Sequence, residues 1–288
     1  MTGILLVDKS EGWTSHDVVA KLRGVTREKR IGHSGTLDPM ATGLLVVFLG
    51  RATRAVEFAE ADEKTYIAGL RLGMSTDTQD TTGNTLALCD ALPSRSELEE
   101  KLAQFCGEIE QIPPMYSAIK HEGKKLYELA RKGVEVERKA RSVTIHELEI
   151  LSGSDADYSL RIRCSKGTYV RTLCHDIGQA LGCGGCMSSL RRVHAGAFRV
   201  EQACKIDALT DAEAVDKRLL PVDTLFSELP AYTVGESALR FVYNGNNITA
   251  PALENGRYRV YAPDGEFLML GEAEDGCLKT VKSFFMPK

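Results

Sequence analysis

Tryptophan occurs once and proline nine times in these 288 residues, and no internal repeat or low-complexity segment is visible. Solenoid arrays and proline-rich or collagen-like chains are thereby excluded. No apolar run approaches the roughly 20 residues that a membrane-crossing helix needs. The opening stretch, MTGILLVDKSEG, lacks a basic segment leading into a long apolar one. No secretory signal is read there, and the cytoplasm is the expected location. Positive charge is not in excess either. The formal net charge is −4, which by itself argues against a nucleic-acid partner.

A second cysteine pair is also missing. Of eight cysteines, only Cys183 and Cys186 form a C-x-x-C unit, whereas a structural zinc site usually needs two such pairs. Incidental reduced thiols in a glycine-rich turn are the favoured reading. Cys174 and His175 nearby leave a metal- or thiol-dependent enzyme as a third possibility.

An apolar fraction of 43% supports a sizeable core, and 26% charged residues are ordinary for a soluble protein. Charge is segregated along the chain. Residues 200–288 carry 14 acidic and 9 basic side chains, residues 115–141 carry 8 basic and 4 acidic, and residues 161–192 carry 6 basic and 1 acidic. A basic middle on an acidic body is an electrostatic footprint for a polyanion, although charge runs are commonly just solvated faces.

Strands and helices interleave along the first three quarters. ILLV at 4–7 reads as a strand, and Thr14 and Ser15 precede a helix with apolar positions Val18, Val19, Leu22 and Val25. Strand 65–72 ends in an acidic loop whose Asp77 and Asp80 could bind Mg²⁺ but spell an ordinary turn better. Ser94 and Glu97 form a capping box ahead of Leu98, Leu102 and Phe105, with Gly107 as the stop. A short basic helix is predicted over 123–133, alternating strands over 134–151 and at 160–164, and a helix from KGTYVR to Leu181. Ser189 to Phe198 reads as a strand, and Thr210 and Glu213 open a helix that Pro221 ends. Near Pro230 the composition changes. Beyond it lie one helix, 236–243, and YRVYAPDGEFLML, two alternating runs around a Pro-Asp-Gly turn. The expectation is an α+β chain with a domain over 1–229 and a small β-rich domain over 230–288.

The most informative stretch is Gly32 to Gly43, GHSGTLDPMATG. Proline restricts Asp38 to an extended or turn conformation. LLVVFLG follows as a short buried strand. A carboxylate is therefore presented from a stiff turn at the edge of a core sheet. Spacing alone does not separate a reactive carboxylate from one that caps backbone N–H groups.

This stretch resembles the catalytic motif GH-x-G-x-LDP-x-ATG of the TruB family of tRNA pseudouridine synthases. Lys64-Thr65-Tyr66, PPMYSA at 113–118 and KGTYVR at 166–171 extend the resemblance, which runs from Leu6-Val7-Asp8-Lys9 to about Arg192. It implies a large mixed, mostly antiparallel sheet with flanking helices and a central cleft, followed by a PUA-like RNA-binding domain. The implied reaction converts uridine 55 of the tRNA T-loop to pseudouridine, with no cofactor and no metal. Asp38 matches the catalytic aspartate, and Arg171 the arginine that pairs with it. Tyr66 matches a tyrosine that stacks on the target base and is a candidate for taking the C5 proton. Tyr169 and Leu190 match positions lining the uracil pocket. His33 matches a residue placed against the flipped nucleotide. Residues 113–141 match an RNA-clamping thumb, in which Lys120, Lys124, Lys125, Arg131 and Lys132 would reach phosphates. The implied partner is the T-arm of tRNA, with no membrane, no obligate protein partner and a monomeric state. The alternative is a non-catalytic tRNA-binding or RNA-folding protein that keeps the cleft; intact Asp38, Tyr66 and Arg171 favour catalysis.

Overall fold

The computed structural model describes residues 1–60, 63–117 and 119–285, and the side chain of Lys120 lies outside the described part. Ten strands form one sheet. Its main path runs Cys204–Lys205, Gly3–Lys9, Thr42–Leu49, Gly185–Ala195, Lys64–Leu72, Asp157–Cys164, Arg141–Ser154 and Gly107–Gln111. Ile31–Ser34 pairs with Thr42–Leu49, and Phe198–Arg199 with Gly185–Ala195. Two junctions are parallel, Gly3–Lys9 with Cys204–Lys205 and Thr42–Leu49 with Gly185–Ala195; the others are antiparallel. The sheet is thus mixed and mostly antiparallel.

The apolar run LLVVFL is explained by burial on both faces. Leu45, Val47 and Leu49 enter one core, while Leu44, Val46 and Phe48 enter the other, as strict strand alternation requires. Helices Ser15–Thr26, Arg95–Ala103 and Val170–Ala180 cover the first core with Val18, Val19 and Leu22, with Leu98 and Leu102, and with Leu173 and Ile177. Thr14 with Asp17 and Ser94 with Glu97 form reciprocal capping boxes on the first two. Farther out one face of the sheet is wet. Asp157–Cys164 buries Tyr158, Leu160 and Ile162, and turns Arg161 and Arg163 to the other side, where they meet Glu147 and Glu63.

Several local expectations are corrected. The stretch 123–133 is not one helix: Lys120–His121 and Lys124–Lys125 make a hairpin, and only Leu126–Ala130 is helical. Gly123 turns the hairpin and Gly133 follows the helix, both at positive φ. The helix near 210 is capped by Asp211, not Thr210, and spans only Ala212–Asp216. Strand structure starts at Arg141 rather than Val134, and the strand before Phe198 begins at Gly185.

The C-terminal part forms a second, five-stranded sheet in the order Ala231–Thr233, Gly256–Tyr261, Phe267–Glu274, Cys277–Ser283 and Ile248–Thr249. Helix Glu236–Tyr243 lies where it was expected. The two sheets share a core. Phe226 packs edge-on to Phe58 at 5.4 Å and lies 6.3 and 6.0 Å from Phe267 and Phe284 of the second sheet region. Phe226→Ala should therefore cost about 3–5 kcal/mol, the usual range for deleting a buried phenyl ring. Thermal melting checks the loss, and limited proteolysis should show cuts after Pro230 appearing first.

Candidate active site

The turn that carries Asp38 is fastened from below. Leu37 is buried, its N–H donates to the Ser15 hydroxyl at 2.9 Å, and that hydroxyl lies 3.2 Å from Leu37 O. Pro39 O accepts the Gly12 N–H at 2.9 Å, and Asp38 O accepts the Ala41 N–H at 3.0 Å. Lys9 comes up from the end of strand Gly3–Lys9 and is fully buried, at 0% exposure. Its ammonium donates to the carbonyls of Trp13, Ser10 and Pro39 at 2.6, 3.0 and 3.4 Å. Gly43 closes the turn at φ +97°, where a Cβ would fall 2.3 Å from Arg192 O, so only glycine lets the two strands approach.

Asp38 therefore stands half-buried at the sheet edge, facing Arg171. Arg171 Nε lies 3.0 Å from Asp38 Oδ2, and Nη2 lies 3.4 Å from Oδ1. The guanidinium also donates to Thr78 O at 3.2 Å and Tyr116 O at 2.9 Å, and lies 3.6 Å from Asp80 Oδ2. Burial pushes the Asp38 carboxyl up; Arg171 opposes this, Asp80 adds to it, and Lys9 opposes it. The turn around Asp80 was expected, but not its use. The hydroxyls of Thr78 and Thr82 and the Thr82 N–H all bond Asp80 Oδ1, leaving Oδ2 for Arg171.

Tyr66 lies on Lys64–Leu72, directly across from Arg192. Burial raises its phenol, and the Arg192 guanidinium draws it back down. Tyr169 immediately precedes helix Val170–Ala180. Its backbone is gripped by the buried Gln111, whose side chain accepts the Tyr169 N–H at 3.0 Å and donates to Tyr169 O at 3.2 Å. Leu190 is buried among the first core, and its carbonyl lies 3.4 Å from the Thr42 hydroxyl. His33, on Ile31–Ser34, has a buried Nδ1 without a partner, and burial followed by Arg192 keeps its imidazole below the usual histidine range. The Asp38 charge bears on the phenols of Tyr66 and Tyr169, and Arg171 bears on Asp38 and Tyr169.

Lys124 and Lys125, on the small hairpin, and Arg131 and Lys132, just past helix Leu126–Ala130, lie on an arm outside the large sheet. Lys124, Arg131 and Lys132 are exposed, and Lys125 and Arg131 both lie 5.4 Å from the Tyr127 ring centre. The arm reaches the centre through its root, the Tyr116 carbonyl held by Arg171. Cys174, Cys183 and Cys186 are buried free thiols, and no cluster of metal-ligating side chains occurs among the described residues. Sequence reasoning missed Lys9, Asp80, Gln111 and Arg192. A lysine ending a buried strand was the one available signal.

Residues 23–170 match the N-terminal domain of the TruB family pseudouridylate synthases, and residues 171–227 match the tRNA pseudouridylate synthase B C-terminal domain. The chain belongs to the TruB family. Among its relatives, the tRNA pseudouridine synthase B of Syntrophomonas wolfei is 45% identical, over 99% of this chain and 99% of that one. That of Clostridium kluyveri is 40% identical over 99% and 100%. A protein chain from an H/ACA ribonucleoprotein bound to a substrate RNA containing 2'-deoxyuridine shares the fold. Its TM-score is 0.75 at 24% identity, covering 99% of this chain and 86% of that one. Asp38 of the GHSGTLDPMATG turn and Arg171 of the KGTYVR stretch thus meet, with the buried Lys9 beneath the turn.

Burial pushes the Lys9 ammonium down to about 8 from an ordinary 10.5. Between those pH values the unfolded chain holds a proton that the folded chain has released. Stability should therefore rise with pH across that window, by on the order of 1–3 kcal/mol. Lys9→Met should abolish that rise. Denaturant melts of both proteins from pH 7 to 11 measure the difference, and parallel curves would refute the assignment.

Proposed function

We propose that the protein isomerises uridine 55 in the T-loop of tRNA to pseudouridine. The observation that carries the proposal is the bidentate Asp38–Arg171 pair, set beside Tyr66 in a chain of this family. The reaction breaks the N1–C1′ bond, turns the uracil, and forms C5–C1′, with no net oxidation and no water consumed. Asp38 supplies the ionised carboxylate beside ribose and base. Arg171 favours that ionised form against burial, and its other acceptors fix the angle at which it meets Asp38. Tyr66 stacks on the base and takes the C5 proton.

The target base must leave the stack of a folded loop, which costs a few kcal/mol. Tyr169 and Leu190 line the pocket that receives it. His33, whose Nδ1 is free for a ligand, stands against the extruded nucleotide. Within the same proposal, residues 113–141 clamp the RNA backbone, with Lys120, Lys124, Lys125, Arg131 and Lys132 at phosphates. Residues 230–288 form a PUA-like domain that adds RNA affinity rather than chemistry. The enzyme works as a monomer in the cytoplasm.

Two outcomes test this. Asp38→Asn keeps the turn, since Asn and Asp serve turns almost equally, but removes the charge and the reactive oxygen. Single-turnover conversion of uridine 55 at saturating enzyme should vanish, while tRNA binding and melting temperature stay near wild type. Substantial conversion by this variant would turn the reading toward a tRNA-binding protein without catalysis. In the arm, replacing Lys124, Lys125 and Lys132 with Gln should flatten the salt dependence of tRNA binding. The log–log slope should fall by up to ~0.7–0.9 for every phosphate that is no longer neutralised; an unchanged slope places the RNA elsewhere.

A further inference from the structure

Arg192 is among the largest side chains that the core hides, at 1% exposure. Its Nε donates to Leu44 O at 2.7 Å and its Nη2 to Gly35 O at 3.0 Å. Among the described residues no carboxylate forms an ion pair with it, in contrast to Arg171 and Arg191. A buried guanidinium without a carboxylate partner is expensive. A packing role would be met more cheaply by an apolar side chain, so the charge itself has a use.

Its surroundings say which use. Gly35 opens the turn that carries Asp38, and at φ +78° a Cβ there would lie 3.0 Å from Arg192 Nη1, so the turn descends directly onto the guanidinium. Across the sheet, Arg192 and Tyr66 are direct antiparallel partners, which places their side chains side by side. One cation therefore lies against the root of the carboxylate turn and on the strand position beside Tyr66.

We propose that Arg192 is a positioning residue for proton removal from C5, its guanidinium fixing the Tyr66 oxygen and supporting the phenolate that accepts the proton. The inference rests on the pseudouridine reading above. After C5–C1′ has formed, C5 carries both the sugar and a hydrogen. The C5–H bond breaks, the proton goes to the Tyr66 oxygen, and the electron pair forms C5=C6. The N1=C6 pair moves to N1, which takes a proton, so the net change is an isomerisation.

The Tyr66 phenol is shifted upward on balance, and Arg192 is the main influence against that shift. Burial raises the Tyr66 phenol, Arg192 lowers it, and the charges of Cys164 and Asp38 raise it. On the other side Arg192 meets Lys9 and His33, both of which it makes harder to protonate. Removing Arg192 takes away the strongest influence that favours a phenolate.

The test uses full-length enzyme and unmodified tRNA carrying uridine 55 with hydrogen or deuterium at C5. Arg192→Gln should slow single-turnover conversion about 10²-fold, the lower end of what positioned acid–base catalysis supplies. A C5 isotope effect larger than wild type should appear, and the rate should go on rising with pH beyond the point where wild type levels. Tyr66→Phe with Arg192→Gln should be no slower than Tyr66→Phe alone, because the second change acts through a phenol already gone. Arg192→Lys should lie between Arg192→Gln and wild type. Losses that multiply in the double variant, or an unchanged isotope effect and pH profile, would overturn the proposal. If Arg192→Gln fails to melt cooperatively, Arg192→Lys decides on the same readouts, and wild-type behaviour there is equally fatal. A wild type that makes no pseudouridine would defeat the parent reading instead.

Discussion

A buried guanidinium must be surrounded by acceptors, and Arg171 draws its acceptors from three separate parts of the chain. The Asp38 turn, the 76–84 loop and the root of the 113–141 arm all end on it. Two of these segments have other fastenings: Ser15, Gly12 and Lys9 hold the Asp38 turn, and Met187 pairs with the Asp80 loop. All three also converge on the cation, because leaving a charged donor unpaired in the interior costs several kcal/mol. The same constraint orders Asp80: its threonine contacts saturate one oxygen and leave the other for the arginine. The angle at which Asp38 meets its partner thus depends on satisfying one cation.

The sheet sets where that cation sits. Gly185–Ala195 pairs with Lys64–Leu72 along its length, but on its other edge it meets Thr42–Leu49 for only two residue pairs. Ile31–Ser34 takes up the vacated edge of Thr42–Leu49. At this fork the backbone is crowded enough to need Gly43, and the residues flanking it are Arg192, Tyr66 and the Asp38 turn. Arg171 lies between Asp38 and Asp80, Lys9 is fixed beneath the Asp38 turn, and Arg192 is held under the start of that turn. Such a centre suits a polyanionic substrate better than the acidic chain as a whole.

What the sequence made legible was local. The Asp38 turn announces itself through glycines and an Asp-Pro step, the capping boxes through their three-residue spacing, and the C-terminal hairpin through Pro-Asp-Gly. The short basic segment at 123–133 misled, because Leu126 and Leu129 at helical spacing hide a hairpin turn at Gly123. His33 looked like part of the turn, yet lies on a four-residue strand too short for periodicity to reveal. Lys9 fell just past the expected strand 4–7, and Arg192 inside the expected strand Ser189–Phe198, with nothing to set either apart from other charged residues. Nothing in a sequence marks a cation whose acceptors are carbonyls 30 or 157 residues away. The clustering of Asp38, Tyr66 and Arg171 was legible only through family resemblance.

The order in which the chain is made gives the junction at Arg171 a further meaning. Its acceptors at Asp38, Thr78 and Tyr116 precede it by 133, 93 and 55 residues. Emerging first, they wait without their cation. The strand that joins the two halves of the sheet, Gly185–Ala195, arrives later still. Until it does, Thr42–Leu49 and Lys64–Leu72 have no common neighbour and belong to separate strand sets. Such distant pairings are the slow ones, since loop-closure entropy is spent before they form. A nascent chain therefore has the pieces of the cleft but no cleft, and RNA meets a competent surface only after Gly185–Ala195 has joined the two strand sets.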